Sequence, residues 1–376
     1  MKKQCLIMTL KTKNYGGILQ AVALQKAILG LGYDCETLNL QINKRKKRAD
    51  KSFVSWIYQN IFIRILGDKK RAKRTAVFLK QNLKQTPLFK ENNISNYFIS
   101  HKHDCVVIGS DQVWNDKMFN TSDAFFFPFI KECVLISYAA SFGYSLNATS
   151  PKKEHLELLR HFDAISVRES DANDFLINNG IKSTISLDPT FLVPKAEWTN
   201  LASSSEICKP NERYGFVYLM PGDDKMVSFI KKAASFYARK YNTTFYIIGL
   251  KDSDRIKHDK NNLFGVGPAE WLYLLANSDW VLTNSFHGTV FSLIFNKKFG
   301  AVISQKSSIN YPGRIINLLD CVNSNSNLID IDDFKDYPDL LNNNSFESLF
   351  AKKINDSKKW LADSLSSYGD FNYEKN

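Results

Sequence analysis

The chain has 376 residues, a formal net charge of +12, and hydrophobic and aromatic contents of 44% and 13%. That length suits two domains with a core in each, and that composition excludes a disordered chain. The apolar runs are too short for a membrane span, and residues 1–10 lack a signal-peptide core and cleavage site, so they read as a first strand.

Residues 4–10 read as a strand, 14–17 as a glycine turn, 19–31 as a helix and 35–40 as a second strand. Two basic clusters follow, Lys44-Arg-Lys-Lys-Arg48 with Lys51 and Lys69-Lys-Arg-Ala-Lys-Arg74, with an apolar, aromatic stretch at 53–66 between them. One reading is a solvated basic face around a core helix. The functional reading is contact of residues 44–74 with an anionic membrane surface. Nucleic acid is not an expected partner, since no zinc-finger, helix-turn-helix or RNA-recognition signature accompanies the charge. Further strands are predicted at 104–109, 134–139 and 165–167, and a helix at 170–178.

A proline-punctuated linker at 187–194 precedes a second alternation. It has strands at 214–219, 244–248, 280–282 and 301–303, and helices at 225–240, 268–276 and 287–295. The chain then turns rich in Asn, Ser and Asp before a terminal helix near 346–364. The fold class expected is α/β, with two Rossmann-like domains facing a cleft. The boundaries are 1–187 with a basic helical insert at about 44–100, then 188–340, then a C-terminal helix and tail at 341–376. The six cysteines (Cys5, Cys35, Cys105, Cys133, Cys208, Cys321) form no CxxC pair, the usage of buried free thiols in a reducing cytoplasm.

Five polar turns carry the candidate chemistry. In Asn14-Tyr-Gly-Gly-Ile-Leu-Gln20 the glycines allow close approach of backbone to a ligand, or simply a flexible turn. In Gly109-Ser-Asp-Gln-Val-Trp-Asn115, Asp111 is a carboxylate at the mouth of a buried strand, suited either to accept a hydroxyl proton or to cap a helix. Arg168 beside Glu169 can grip a carboxylate or phosphate, or pair with a neighbouring acid. The turn Thr283-Asn-Ser-Phe-His-Gly-Thr289 ends a strand and opens a helix, so its free N–H groups and the helix dipole favour an anion there. His287 in that turn can move a proton. Arg314 opens a later helix and can reach the same cleft. No GxxxxGK[ST] loop, GxGxxG fingerprint or HExxH motif is present.

Taken in order, these segments resemble the polysaccharide pyruvyl transferase family. The matching pieces are Asn14-Tyr-Gly-Gly with Leu19-Gln20, Ile108-Gly-Ser-Asp-Gln-Val-Trp114, Ser141-Phe-Gly143, Phe162-Asp-Ala-Ile-Ser-Val-Arg-Glu169, Leu187-Asp-Pro-Thr-Phe191 and Thr283-Asn-Ser-Phe-His-Gly-Thr-Val-Phe-Ser292. The resemblance implies a fold like that of GT-B glycosyltransferases. It also implies transfer of a pyruvyl group from phosphoenolpyruvate, as co-substrate, to two hydroxyls of a sugar in a surface polysaccharide or its precursor. The product is a cyclic ketal, and the chemistry needs no metal or redox cofactor in principle. On this reading His287 is the general acid and Asp111 the base, while Arg168, Arg314, Asn284, Ser285, Gly288 and Thr289 hold the donor. Asn14, Tyr15, Gly16, Gly17, Gln112 and Trp114 contact the acceptor. Some family members carry an arginine two residues before the histidine; here that residue is Ser285. The expected setting is cytoplasmic, with a lipid-linked acceptor at the inner membrane face as one form. The competing readings are a GT-B glycosyltransferase using a nucleotide sugar and a non-catalytic glycan-binding protein of an envelope-assembly complex.

Overall fold

Short apolar runs alternating with helical periods bury both faces of a strand, which is the pattern of a parallel sheet covered on each side. The computed structural model describes residues 2–42, 61–117, 122–129, 133–207, 210–249, 261–306, 311–343 and 346–366, apart from the side chains of 61–66, 347 and 349. The first half runs β1 (Gln4–Met8), α1 (Tyr15–Gly30), β2 (Asp34–Thr37), β3 (Leu40–Gln41), α2 (Ile61–Asn82), β4 (Phe89–Lys90) and α3 (Ile94–Ser100). It continues with β5 (Cys105–Ile108), β6 (Val134–Ala140), α4 (Lys153–Leu159), β7 (Ala164–Val167), α5 (Ser170–Asn178) and β8 (Thr184–Ile185). Among the described residues these form a six-stranded parallel sheet in the order β2-β1-β5-β6-β7-β8, with β3 and β4 paired apart from it.

The second half begins with α6 (Lys195–Ser203) and runs β9 (Tyr214–Leu219), α7 (Asp224–Tyr241), β10 (Thr244–Gly249), α8 (Pro268–Ala276), β11 (Trp280–Thr283), α9 (Phe286–Ile294) and β12 (Lys298–Ile303). It ends with α10 (Gly313–Cys321), β13 (Leu328–Asp330) and α11 (Phe346–Ser366). Its five parallel strands are ordered β10-β9-β11-β12-β13. The expected pair of Rossmann-like domains is therefore present, and α11 returns to pack against β6 of the first.

Three local expectations change. Gly16 and Gly17 lie inside the first turn of α1 rather than in a turn before it, because Asn14 is its N-cap and accepts from Gly16 N at 3.1 Å. The strand expected over 35–40 breaks after Thr37, and Leu40 pairs instead with Phe89. Asp111 caps no helix: it sits just past β5 with φ of +69° and bridges Ala140 by its backbone.

The basic insert is partly structural. Arg71 donates to the Lys13 carbonyl and lies 4.5 Å over the Tyr15 ring, while Arg74 pairs with Glu206 at 3.1 Å and Glu270 at 3.3 Å. Lys69, Lys70 and Lys73 are exposed. The first basic cluster and residues 53–60 of the proposed membrane-facing segment lie outside the described residues. Among the described residues no helix is long and apolar enough to cross a membrane. Cys5, Cys35, Cys105, Cys133 and Cys321 are free thiols; Cys208 lies outside the described residues.

The two halves share a core. Tyr15, Leu19 and Val22 of α1 belong to the same apolar cluster as Trp271, Leu272 and Leu275 of α8 and Phe216 of β9. Tyr15 stacks on Trp271 with ring centroids 5.8 Å apart, and its hydroxyl donates to the Val266 carbonyl at 2.8 Å. The contact brings the start of α1 over the start of α9.

Candidate active site

In parallel sheets the polar turns beyond the carboxyl ends of the strands are left uncovered, and ligands collect there. Here a cleft of about 630 Å³, counting its open mouth, lies between those ends of the two sheets. Asn14, Asp111 and Gln112 line it from the first half, and Asn284, Ser285, His287 and Arg314 from the second.

His287 is the second residue of α9, whose N-cap Ser285 accepts from Gly288 N at 3.4 Å. A Cβ on Gly16 would lie 2.2 Å from His287 Cγ and Nδ1, so the imidazole fits only because α1 offers bare backbone there. Its Nε2 is buried without a hydrogen-bond partner and stands 3.5 Å from Asp188 Oδ2.

Asp188 is buried. Its Oδ1 accepts from Thr190 N at 3.0 Å and Thr190 Oγ1 at 2.6 Å, and its Oδ2 pairs with Arg168 Nη2 at 2.9 Å. Burial opposes ionisation of this carboxyl, yet the Arg168 guanidinium and the His287 ring beside it hold it well below the usual carboxylate range. Arg168 also donates to Ser110 Oγ and lies 4.6 Å over the Phe286 ring, while its Nε and Nη1 have no partner.

Arg314 comes from the first turn of α10. With its amide oxygen turned that way, Gln112 accepts from Arg314 Nη1 at 2.8 Å and Nη2 at 3.1 Å. Burial draws the Arg314 guanidinium below its ordinary range, against the pull of Glu169. Glu169 accepts from Ser141 Oγ at 2.5 Å; burial pushes its carboxyl up, against the opposing pull of Arg168 and Arg314. Tyr311 donates to Asp171 Oδ2 at 2.9 Å, tying α10 to the start of α5. The cleft thus holds an imidazole, a carboxylate and a guanidinium, with a second guanidinium behind the histidine.

A sequence profile for the family described as polysaccharide pyruvyl transferase matches residues 14–306. The chain belongs to the polysaccharide pyruvyl transferase family. No curated protein matches it in sequence. Among solved structures it is similar to UDP-GlcNAc 2-epimerase from Methanocaldococcus jannaschii, at 14% identity and a TM-score of 0.55, over 96% of this chain and 92% of that one. It is likewise similar to UDP-N-acetylglucosamine 2-epimerase from Rickettsia bellii, at 10% identity and a TM-score of 0.55, over 99% and 98%. A third is UDP-GlcNAc 2-epimerase from Neisseria meningitidis bound to UDP-GlcNAc, at 12% identity and a TM-score of 0.53, over 97% and 99%. At such identities the likeness concerns the fold, which is GT-B.

This pyruvyl transferase brings only part of the expected set into the cleft. Asn14, Asp111, Gln112, Asn284, Ser285, His287 and Arg314 line it. Arg168 lies behind His287, held by Asp188. Asn284 is occupied structurally: its Oδ1 accepts from Met220 N at 2.7 Å and its Nδ2 donates to Met220 O at 3.1 Å. Gly288 packs on Thr283, and the buried Thr289 donates to the Ser285 carbonyl at 3.1 Å. Tyr15 and Trp114 are core residues; Trp114 Nε1 donates to the Phe125 carbonyl at 3.0 Å. Gly16 and Gly17 act as clearance, Gly16 beneath His287 and Gly17 beneath Asp111, whose Oδ2 would be 3.0 Å from an added Cβ.

Asp188, Glu169 and Tyr311 escaped sequence reasoning as site residues. Asp188 carries a visible signal, an Asp-Pro pair after a strand, which reads as a turn or cap. That reading is correct for Oδ1, and nothing local speaks for Oδ2.

Proposed function

We propose that this family member transfers the pyruvyl group from phosphoenolpyruvate to two hydroxyls of one sugar, forming a cyclic ketal and releasing phosphate. The observation that carries the reading is His287, set at a helix N-terminus on the cleft wall, with Asp111 and Arg314 lining the same cleft.

The donor is an enol phosphate carrying a carboxylate, so it needs cations and N–H donors. Arg314 supplies the cleft-facing cation in place of the arginine missing at Ser285, and the first N–H groups of α9 add positive potential. Arg168 adds charge from behind. Protonated His287 gives its proton to the methylene carbon, which becomes a methyl group, and leaves an oxocarbenium-like centre at C2. The first sugar hydroxyl attacks C2 while Asp111 takes its proton. The C2–O bond to phosphate then breaks and the second hydroxyl closes the ring. One hydroxyl proton is balanced by the new methyl group and the other leaves on phosphate. A sugar of a surface polysaccharide or its lipid-linked precursor is the acceptor in this reading.

Phosphate release from phosphoenolpyruvate, followed with galactose-, mannose- and glucose-type acceptors, tests it. Acceptor-dependent release is expected, and His287→Ala should lower it by at least about 10²-fold with the thermal transition unchanged. Near-normal turnover in that variant would remove His287 from the proton step. Tight binding of a nucleoside diphosphate with no phosphate release would favour a nucleotide-sugar enzyme instead.

A further inference from the structure

Resting on the reading that His287 delivers the proton, we propose that Asp188 is its positioning residue. It clamps the Nε2 edge of the ring and fixes how the imidazole is presented to the donor, while Arg168 anchors the clamp from behind.

Asp188 is held three ways at once, which a merely structural cap does not need. Thr190 fixes Oδ1 through both its N–H and its hydroxyl, at 3.0 and 2.6 Å. That leaves Oδ2 aimed between Arg168 at 2.9 Å and His287 Nε2 at 3.5 Å. Asp188 is buried and does not line the cleft, whereas His287 does line it. A buried carboxylate facing one imidazole nitrogen sets which nitrogen carries the proton and holds the ring's orientation. Gly16 closes the opposite side of the ring, so the imidazole has little freedom to rotate away. The other charged groups around it are Asp111 and Arg314 on the cleft walls, with Glu169 next to Arg168; α1 brings only the uncharged Asn14 and Gly16.

The titration of His287, followed by imidazole NMR in the full-length protein and assigned through the signal missing in His287→Ala, tests the clamp without any substrate. In Asp188→Asn the titration midpoint should fall by about one pH unit or more. In Arg168→Gln the charge of Asp188 acts on the ring alone, and the midpoint should rise. Thr190→Ala, which leaves Oδ2 in place, should move it far less than Asp188→Asn. Kinetically, Asp188→Asn should lower kcat by about 10²-fold and move its alkaline limb to lower pH, with KM for phosphoenolpyruvate changed by no more than about threefold. An unchanged midpoint in Asp188→Asn overturns the proposal; should that variant not fold, an unchanged midpoint in Arg168→Gln does so. A midpoint that falls while the wild-type protein releases no phosphate from phosphoenolpyruvate sinks the donor reading and upholds the clamp. An unmoved midpoint beside acceptor-dependent release sinks the clamp alone.

Discussion

Gly16 has no side chain in the place where His287 needs room. Alanine is the better helix former by about 1 kcal/mol, so Gly16→Ala ought to stabilise α1 in isolation. In this molecule its Cβ would come within 2.2 Å of the imidazole, far inside contact distance, so the clamped ring or α1 itself must shift. The variant is expected to stay folded and to lose about 10²-fold in kcat, because a shift of about 1 Å in a reacting group is enough for that. Wild-type turnover in Gly16→Ala would mean the ring tolerates displacement. Asp111 makes a related point: a non-glycine residue at φ of +69° is uncommon, and such residues cluster at functional sites. Its backbone is held there by Ser141 N and Val113 N, both donating to the Asp111 carbonyl, which leaves the carboxylate at the cleft.

At the scale of elements, the site is built by joining strand ends. Asn284, between β11 and α9, bonds both the N–H and the carbonyl of Met220 just past β9, and so fixes the start of α9 against its neighbour strand. Asn284→Ala leaves both backbone groups of Met220 without their partner, at about 1–3 kcal/mol of stability, measurable as a lower denaturant midpoint with unchanged slope. If donor binding were its main duty, stability would hold and KM would rise. β5, β6, β7, β9 and β11 are legible in the sequence because each is a short apolar run bounded by polar turns. The first turn of α1 is not, since two glycines disguise a helix that Asn14 caps, nor is the break between β2 and β3, which depends on the distant Phe89.

For the whole molecule, the apolar cluster from α1 through α8 and β9 to α9 crosses between the two sheets. On the other side of the cleft, Tyr311 reaches Asp171 and Asn317 Nδ2 donates to Ser170 Oγ at 3.2 Å. Two-domain proteins often unfold in steps. Here the shared core couples the halves, so tryptophan fluorescence and circular dichroism should report one coincident denaturant transition. Two separated transitions would show that the halves are stable apart.

From the sequence alone came the chemistry of the parts: alternating strands and helices, the polar turns that follow them, a histidine at a helix start, a carboxylate after a buried strand, and the family they resemble. These are legible because strand, turn and helix-cap preferences act over a few residues. Tertiary structure decided which of those groups share a cleft. It moved Arg168 behind the histidine, gave Asn284 to Met220, and buried Tyr15 and Trp114. It also set Asp188 beneath His287, almost a hundred residues away in the chain. Packing between distant segments makes these assignments, since burial and partner are properties of neighbours in space that no local pattern encodes.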